Sequence, residues 1–517
     1  MADSKREVER KYEATPETRL PDLTRTAGVS AVVHRGLSEL DAVYYDTQDF
    51  RLAADSLTLR RRTGGDDAGW HLKIPVSTDV RDEIRAPLTD ALPSDLGELL
   101  RSRVRHTPVT PVVRILSARD VHHLLGADGT LLAELSIDEV LAERLTVEGR
   151  GITSAWTELE VELADDADPA LLDAVERRLR KAGVRPSAAP SKLARALAET
   201  APGRRRRKTG KKKPRKPAGK SSPRTAGDHV LVYVRRQVAA LVALDPAVRR
   251  DLPDSVHRMR VATRRLRSAF RTYRGILDRS ATDPLRDELK WLAAELGVDR
   301  DQEVLDERLR AHVGRLPDTL LLGPVSARLR LTSVARRTGS RRRVASVLDA
   351  ERYLALLDSL DALLADPPLL PDAARPPGDA LPPAVLKDYA RLATRVGHAL
   401  EQHPGQERDV AMHEARKAAK RVRYAAEAAR PALGKPAKRF AKRMKSVQSV
   451  LGDHQDSVVA RDALRTLAVQ AHGAGESAFT WGLLYGREEA AAAERERELP
   501  EVWARASRPG LRAALKG

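Results

Sequence analysis

The sequence predicts an α+β multidomain protein, with a strand-rich N-terminal half and an all-α C-terminal half. Three observations predict it. Polar and apolar residues alternate over short runs through most of the first 200 residues. From Asp228 onward the pattern is helical and rich in Ala, Leu, Arg and Glu. Between the two, residues 201–226 hold 12 basic residues, no acidic one and no apolar periodicity. A chain of 517 residues can bury more than one core.

The N-terminal strands are legible one by one. Glu7-Val8-Glu9-Arg10-Lys11 alternates, so Glu7, Glu9 and Lys11 share a face. Ser56 to Arg62 and Trp70 to Ile74 alternate around Gly64-Gly65-Asp66-Asp67, which reads as a hairpin loop. Leu131 to Val140 pairs in expectation with Trp156 to Leu163, whose Glu158, Glu160 and Glu162 also share a face. Helices are expected at Ala170 to Ala182, after Pro169, and at Ser191 to Glu199.

Carboxylates clustered inside a barrel repel one another unless a cation joins them. Glu7 and Glu9 with the Glu158, Glu160 and Glu162 strand would suit Mg²⁺ or Mn²⁺, which prefer oxygen ligands. Opposite charge recurs at strand spacing: Arg60 and Arg62, Lys73, Arg81 and Arg85, then Arg114 and Arg119. Acids on one wall and bases on the other suit a metal-bound triphosphate.

Charge divides the chain. Residues 1–200 carry a net −7, residues 201–226 a net +12 and residues 227–517 a net +14. The middle tract reads as a disordered basic linker over 201–227, able to touch nucleic acid or any polyanion without sequence preference. The basic C-terminal half predicts polyanionic partners. With aromatics at only 3%, stacking platforms for single-stranded nucleic acid are scarce. The absence of cysteine excludes disulfide and thiolate chemistry and fits a reducing cytoplasm. No apolar run is long enough to span a membrane.

The basic half repeats itself. His257, Arg260, Arg264 and Arg267 have the spacing of His413, Arg416, Lys420 and Arg423, an offset of 156 residues. Lys290, Leu296-Gly297 and Asp301 match Lys445, Leu451-Gly452 and Asp456 at an offset of 155. Two copies of one helical unit explain this, about 228–365 and 384–500, parted by the Pro-rich 366–383. On a helix each His/Arg/Lys set lines one stripe, matching a row of phosphates. Asp299 stands where the second copy has His454.

These residues resemble two known families. Residues 1–200 are similar to the CYTH family, the triphosphate tunnel metalloenzymes, through Glu7, Glu9 and Lys11 and through the strand carrying Arg60 and Arg62. Lys73, Arg85, Arg114, Arg119, Asp138, the Glu158/Glu160/Glu162 strand and Ser191-Lys192 continue the match. The resemblance implies an eight-stranded antiparallel tunnel that hydrolyses or rearranges triphosphates. Glu7, Glu9, Asp138 and two of Glu158, Glu160 and Glu162 would then hold Mg²⁺ or Mn²⁺. Lys11, Arg60, Arg62, Lys73, Arg85, Arg114, Arg119 and Lys192 would grip phosphate. Residues 228–510 resemble the CHAD domain, implying tandem four-helix bundles that bind inorganic polyphosphate through the two stripes with Lys290 and Lys445. The expectation is a cytoplasmic triphosphatase associated with polyphosphate granules. A non-catalytic polyphosphate-binding protein and a class IV adenylate cyclase are the alternatives.

Overall fold

The computed structural model describes residues 3–146, 149–201, 223–297 and 300–516. The expected linker falls almost wholly on 202–222, outside the described residues, as does Asp299. Two compact units divide between Arg215 and Lys216.

The N-terminal unit is a closed antiparallel ring. Its strands are β1 (Asp3–Ala14), β2 (Ala31–Asp46), β3 (Thr58–Thr63), β4 (Gly69–Ser77), β5 (Val80–Ala86), β6 (Thr110–Leu125), β7 (Leu131–Thr146) and β8 (Gly149–Leu163). The order is β5-β4-β3-β2-β6-β7-β8-β1, and β1 closes the ring by also pairing with β5. The first half of β1 pairs with β5, with Glu7 opposite Arg81. Its second half pairs with β8, with Glu9 opposite Glu162 and Lys11 opposite Glu160. A short β9 (Arg185–Pro186) joins the outer edge of β1.

The turn at Gly64-Gly65 is required by geometry. Both residues have positive φ, and a Cβ on Gly64 would lie 2.2 Å from the Glu39 carbonyl oxygen. Four helices attach to the ring: α1 (Arg51–Ala54), α2 (Ser94–Val104), α3 (Ala170–Lys181) and α4 (Lys192–Glu199). The last two lie where the sequence predicts them; α2 was not foreseen. Leu171, Leu172, Val175 and Leu179 of α3 pack on the outer face of β1, β7 and β8 through Tyr12, Leu135, Leu159 and Val161. Ser191 caps α4 by accepting from the Ala194 N–H. Leu193 and Ala196 join Ala42, Tyr44, Val113, Ile115, Val140, Ala142 and Trp156 in an apolar cluster. Those residues face inward, so α4 fills one end of the barrel and the polar cavity occupies the rest.

The C-terminal unit is helical: α5 (Ala226–Arg249), α6 (Ser255–Thr272), α7 (Arg279–Glu295), α8 (Arg300–Val313), α9 (Val325–Asp349), α10 (Glu351–Ala365), α11 (Pro377–Glu401), α12 (Gln406–Gly473), α13 (Phe479–Ala506) and α14 (Pro509–Ala513). No helix among the described residues is long and apolar enough to cross a membrane. One sequence expectation is corrected here. Pro382 and Pro383 lie within α11, close enough to its N-terminus that little of the helix precedes the bonds they omit. The two repeats share their cores. One core joins Leu266, Phe270 and Leu289 of the first repeat to Val422, Phe440 and Met444 of the second. Another joins Leu305, Leu309 and Leu329 to Leu464, Trp481 and Leu484. Helix α12 contains a break at Gly434 (φ 61°), so it comprises two helices in one continuous span.

Candidate active site and polyanion-binding surface

Inward-facing residues of the ring line a polar cavity of about 470 Å³. Its walls carry ten Lys/Arg and eight Asp/Glu side chains. Parity places them: Glu7, Glu9 and Lys11 on β1, Arg60 and Arg62 on β3, Lys73 on β4, Arg119 on β6, Glu160 and Glu162 on β8.

On one wall, Lys73 Nζ lies 2.5 Å from Glu7 Oε2 and 3.7 Å from Glu83 Oε1. Burial, with Glu83, Glu162 and Glu9 nearby, outweighs Lys73 and pushes the Glu7 carboxyl up to about 7. Glu9 is also buried, which opposes ionisation. Lys11, at 3.1 Å, and Lys73 outweigh that cost and hold Glu9 down to about 2. Arg81 Nη1 donates to Glu9 Oε1 at 2.8 Å. Glu83 is fully buried and contacts His71 Nδ1 at 2.9 Å and Arg85 Nε at 2.5 Å.

Deeper in, Glu160 meets Lys11, Lys192 Nζ at 2.7 Å and Arg119 Nη2 at 2.9 Å. Burial disfavours its charge, but these three cations hold it well below the usual carboxylate range. Lys192 is 8% exposed and also reaches Asp138 at 2.9 Å and Glu158 at 2.7 Å. Arg119 grips Asp138 with two bonds, at 2.7 and 2.8 Å. Register explains the cluster, because Arg119 is opposite Asp138 and Asp138 opposite Glu158 across β6, β7 and β8.

Most of the expected cavity residues converge, with exceptions. Arg114 points outward and pairs bidentately with Asp41, at 3.0 and 2.6 Å. Arg114 and Arg119 are five residues apart on one strand, so they cannot share a face. We expect Arg114→Ala to leave turnover and phosphate affinity within twofold of wild type, measured by phosphate release. Asp138 and Glu158 are buried behind the cavity, holding Arg119 and Lys192, and Glu158 also accepts from Trp156 Nε1 at 2.6 Å. Of the three glutamates left open by the sequence, Glu160 and Glu162 line the cavity. Glu83 and Lys5 also line the cavity and lie outside the set the sequence predicts. Both continue the parity of named neighbours, Glu83 between Arg81 and Arg85 and Lys5 before Glu7, where Lys5 meets Glu162 at 2.8 Å.

Several buried polar atoms of the cavity lack hydrogen-bond partners. Arg60 Nε and Arg62 Nε are buried with no hydrogen-bond acceptor. Glu7 Oε2 is buried with no hydrogen-bond donor, Lys73 being close but outside bonding geometry. Such orphans each cost about 1–3 kcal/mol.

In the helical unit the two basic stripes are half-buried. His257, Arg260, Arg264 and Arg267 lie on α6; His413, Arg416, Lys420 and Arg423 on α12. Opposite faces of these helices bury Met259, Leu266 and Phe270, and Met412, Val422 and Ala425. Space is tight at Gly297, where a Cβ would meet the Ala293 carbonyl oxygen and Arg260 Nη2, each at 2.9 Å, whereas a Cβ on Gly452 would meet Arg416 Nε at an ordinary 3.6 Å. Burial, then Arg416, Arg264 and Arg423, push the Lys420 ammonium down to about 7. Arg264 belongs to the first repeat, so the two stripes converge. His413 Nδ1 contacts Gln455. Arg267 and Lys290 also line a cavity of about 390 Å³ with Arg271, Arg274, Arg279 and Arg286. Lys445 is exposed on α12.

Family models match this division: a CYTH domain at residues 5–197 and a CHAD domain at 232–465. The chain belongs to the CYTH and CHAD families. Two uncharacterized proteins of Mycobacterium tuberculosis, from strains CDC 1551 / Oshkosh and ATCC 25618 / H37Rv, are each 39% identical to it over 516 residues. Each match spans 96% of this chain and 95% of the relative. Among solved structures, PptA from Streptomyces chartreusis is 23% identical, with a TM-score of 0.46, covering 55% of this chain and all of its own. HpAC1 from Hippeastrum, described as having a dominant triphosphatase activity, is 19% identical with a TM-score of 0.24. It covers 39% of this chain and 97% of its own. The CYTH superfamily comprises metal-dependent phosphate-transfer and hydrolytic enzymes. In this CYTH domain the oxygen-only donors suit a hard divalent cation, and Glu7 Oε2, buried and paired with Lys73 but accepting no hydrogen bond, is an atom that such a cation would satisfy.

Proposed function

We propose that the CYTH domain hydrolyses a triphosphate with Mg²⁺ or Mn²⁺, and that the CHAD domain holds inorganic polyphosphate. The observation that carries the first part is the pair of buried, partnerless guanidinium N–H groups of Arg60 and Arg62, in a cavity rich in both charges. Phosphate oxygens are the acceptors those groups lack. Glu7, Glu9 and Glu162 would hold the metal, with Glu160 behind them, and the metal would polarise the phosphoryl oxygens and lower the pKa of a bound water. Lys11, Lys73, Arg60, Arg62, Arg85 and Arg119 would orient the phosphate chain and offset charge on the transferred phosphoryl. Burial, then the neighbouring Arg60 and Arg119, push Arg62 down to about 9, a crowding that a bound anion relieves. Hydrolysis is favoured over cyclisation because, among the described residues, Tyr44 is the single Phe, Tyr or Trp of the lining, leaving little to stack on adenine.

The test is phosphate release and cyclic AMP formation from tripolyphosphate, ATP and thiamine triphosphate, each with Mg²⁺ or Mn²⁺. Metal-dependent phosphate release is expected, and its absence for every substrate would refute the enzymatic reading in favour of a binding protein.

For the CHAD domain, the support is two converging half-buried stripes that press Lys420 toward neutrality. A polyanion favours the charged ammonium, so binding should draw in a proton above pH 7. Polyphosphate affinity is then expected to fall as pH rises from 6 to 9, by at most about tenfold per pH unit. Calorimetry at pH 8 in buffers of different ionisation enthalpy measures the uptake. An uptake unchanged in Lys420→Met would rule out this assignment. Retention near polyphosphate granules follows from the same reading. The basic tract would add contacts to polyanions, nucleic acid included, without sequence preference.

A further inference from the structure

On the outer wall of the CYTH barrel, three side chains that the hydrolytic reading leaves idle converge. His34 on β2 is opposite His122 on β6 in the strand register. Asp120 lies two residues before His122, on the same face. His34 Nε2 is 2.6 Å from Asp120 Oδ1, and His122 Nε2 is 3.2 Å from Asp120 Oδ2. The imidazole centroids are 5.0 Å apart. One nitrogen from each ring and one carboxylate oxygen all lie within 4.8 Å of one another. Among the described residues no Lys or Arg pairs with Asp120, so no fixed cation competes for it. His34 is 60% exposed, which leaves an entry path from solvent.

The chemistry differs from that of the cavity. Two imidazoles and a carboxylate suit Zn²⁺, Co²⁺ or Ni²⁺ in preference to Mg²⁺. Ligands 2.0–2.1 Å from a tetrahedral ion stand about 3.3 Å apart, a spacing these atoms reach with small side-chain rotations. The rival cluster of Asp409, His454 and Glu496 in the CHAD domain lacks this freedom. Arg461 holds Asp409 at 2.7 Å and Arg408 holds Glu496 at 2.8 Å, so an added dication would face two guanidiniums.

We propose that His34, Asp120 and His122 form a transition-metal site on the outside of the CYTH barrel, distinct from the cavity. Its location gives it a consequence. The β2–β6 register shifts between His34 and Gly36, and Gly36 has a φ of 107°. That irregularity holds Arg35, which lines the cavity with Val121 and His123 of the facing strand. An ion outside would staple β2 to β6 at the place where Arg35 enters.

The test uses the full-length protein in excess Mg²⁺, which occupies oxygen-donor sites. Co²⁺ is titrated in and followed by its visible d–d absorption, and Zn²⁺ by calorimetry. One equivalent is expected in wild type, absent from His34→Ala and from His122→Ala, and retained in the exposed control His403→Ala. Zn²⁺ should also raise the thermal midpoint of wild type and leave that of His34→Ala unchanged. The same stoichiometry in wild type, His34→Ala and His122→Ala would overturn the proposal, as would no Co²⁺ band in wild type. Circular dichroism of the metal-free variants checks that the barrel is intact.

Discussion

Replacing Glu9 with Gln is expected to lower metal-dependent turnover of tripolyphosphate by on the order of 10²–10³-fold. The substitution keeps shape and burial and removes one charge. Glu9 is 6% exposed and is held ionised by Lys11 and Lys73, with Arg81 bonded to it. It is therefore an anionic oxygen donor throughout the neutral range. In Glu9→Gln the divalent ion loses that donor, while Lys11 and Arg81 remain to attract phosphate. Two readouts should separate. Mn²⁺ affinity should fall by at least about tenfold, and metal-free affinity for tripolyphosphate should hold or rise. Unaltered Mn²⁺ affinity together with an unaltered rate would remove Glu9 from the metal site.

Lys192→Met is expected to destabilise the CYTH domain by about 3–5 kcal/mol, because it strips the shared cation from buried carboxylates. Lys192 touches Asp138, Glu158 and Glu160, which are 0%, 3% and 9% exposed. Arg119 still serves Asp138 and Glu160, but Glu158 keeps only the Trp156 N–H. For a domain of this size the thermal midpoint should drop by about 6–20 °C, read from that domain's own transition. The three carboxylates converge closely enough to take a metal ion. Millimolar Mn²⁺ should then restore part of the loss by standing where the ammonium stood. A midpoint within 2 °C of wild type would show that the carboxylates do not depend on Lys192.

What the sequence carried, and what it did not, follows from the range of each interaction. A strand's side chains alternate by covalent geometry alone, so Glu7, Glu9 and Lys11 shared a face before any fold was known. The same holds for Glu158, Glu160 and Glu162, and for Arg60 with Arg62. The hairpin at Gly64-Gly65 and the cap at Ser191 are local as well. Parity applied consistently would have excluded Arg114 once Arg119 was chosen, and would have added Glu83. The helical stripes and the internal repeat are one-dimensional patterns, visible as spacing. Gly297, which makes room for Arg260, was visible only as a spacing shared by the two copies.

Tertiary structure decided the rest, because ring closure and core sharing join residues far apart in the chain. Pairing of β1 with both β5 and β8 put Lys73 against Glu7, and Lys11 against Glu160. Insertion of α4 turned Lys192, expected on phosphate, into the counter-ion of three buried carboxylates. Cores assembled from both repeats brought Arg264 near Lys420, although each stripe was readable alone. The sequence by itself determined which residues share a face and what chemistry each face offers, since that depends on backbone periodicity. Which faces meet, and which charges become buried against one another, depended on long-range pairing that no local pattern encodes.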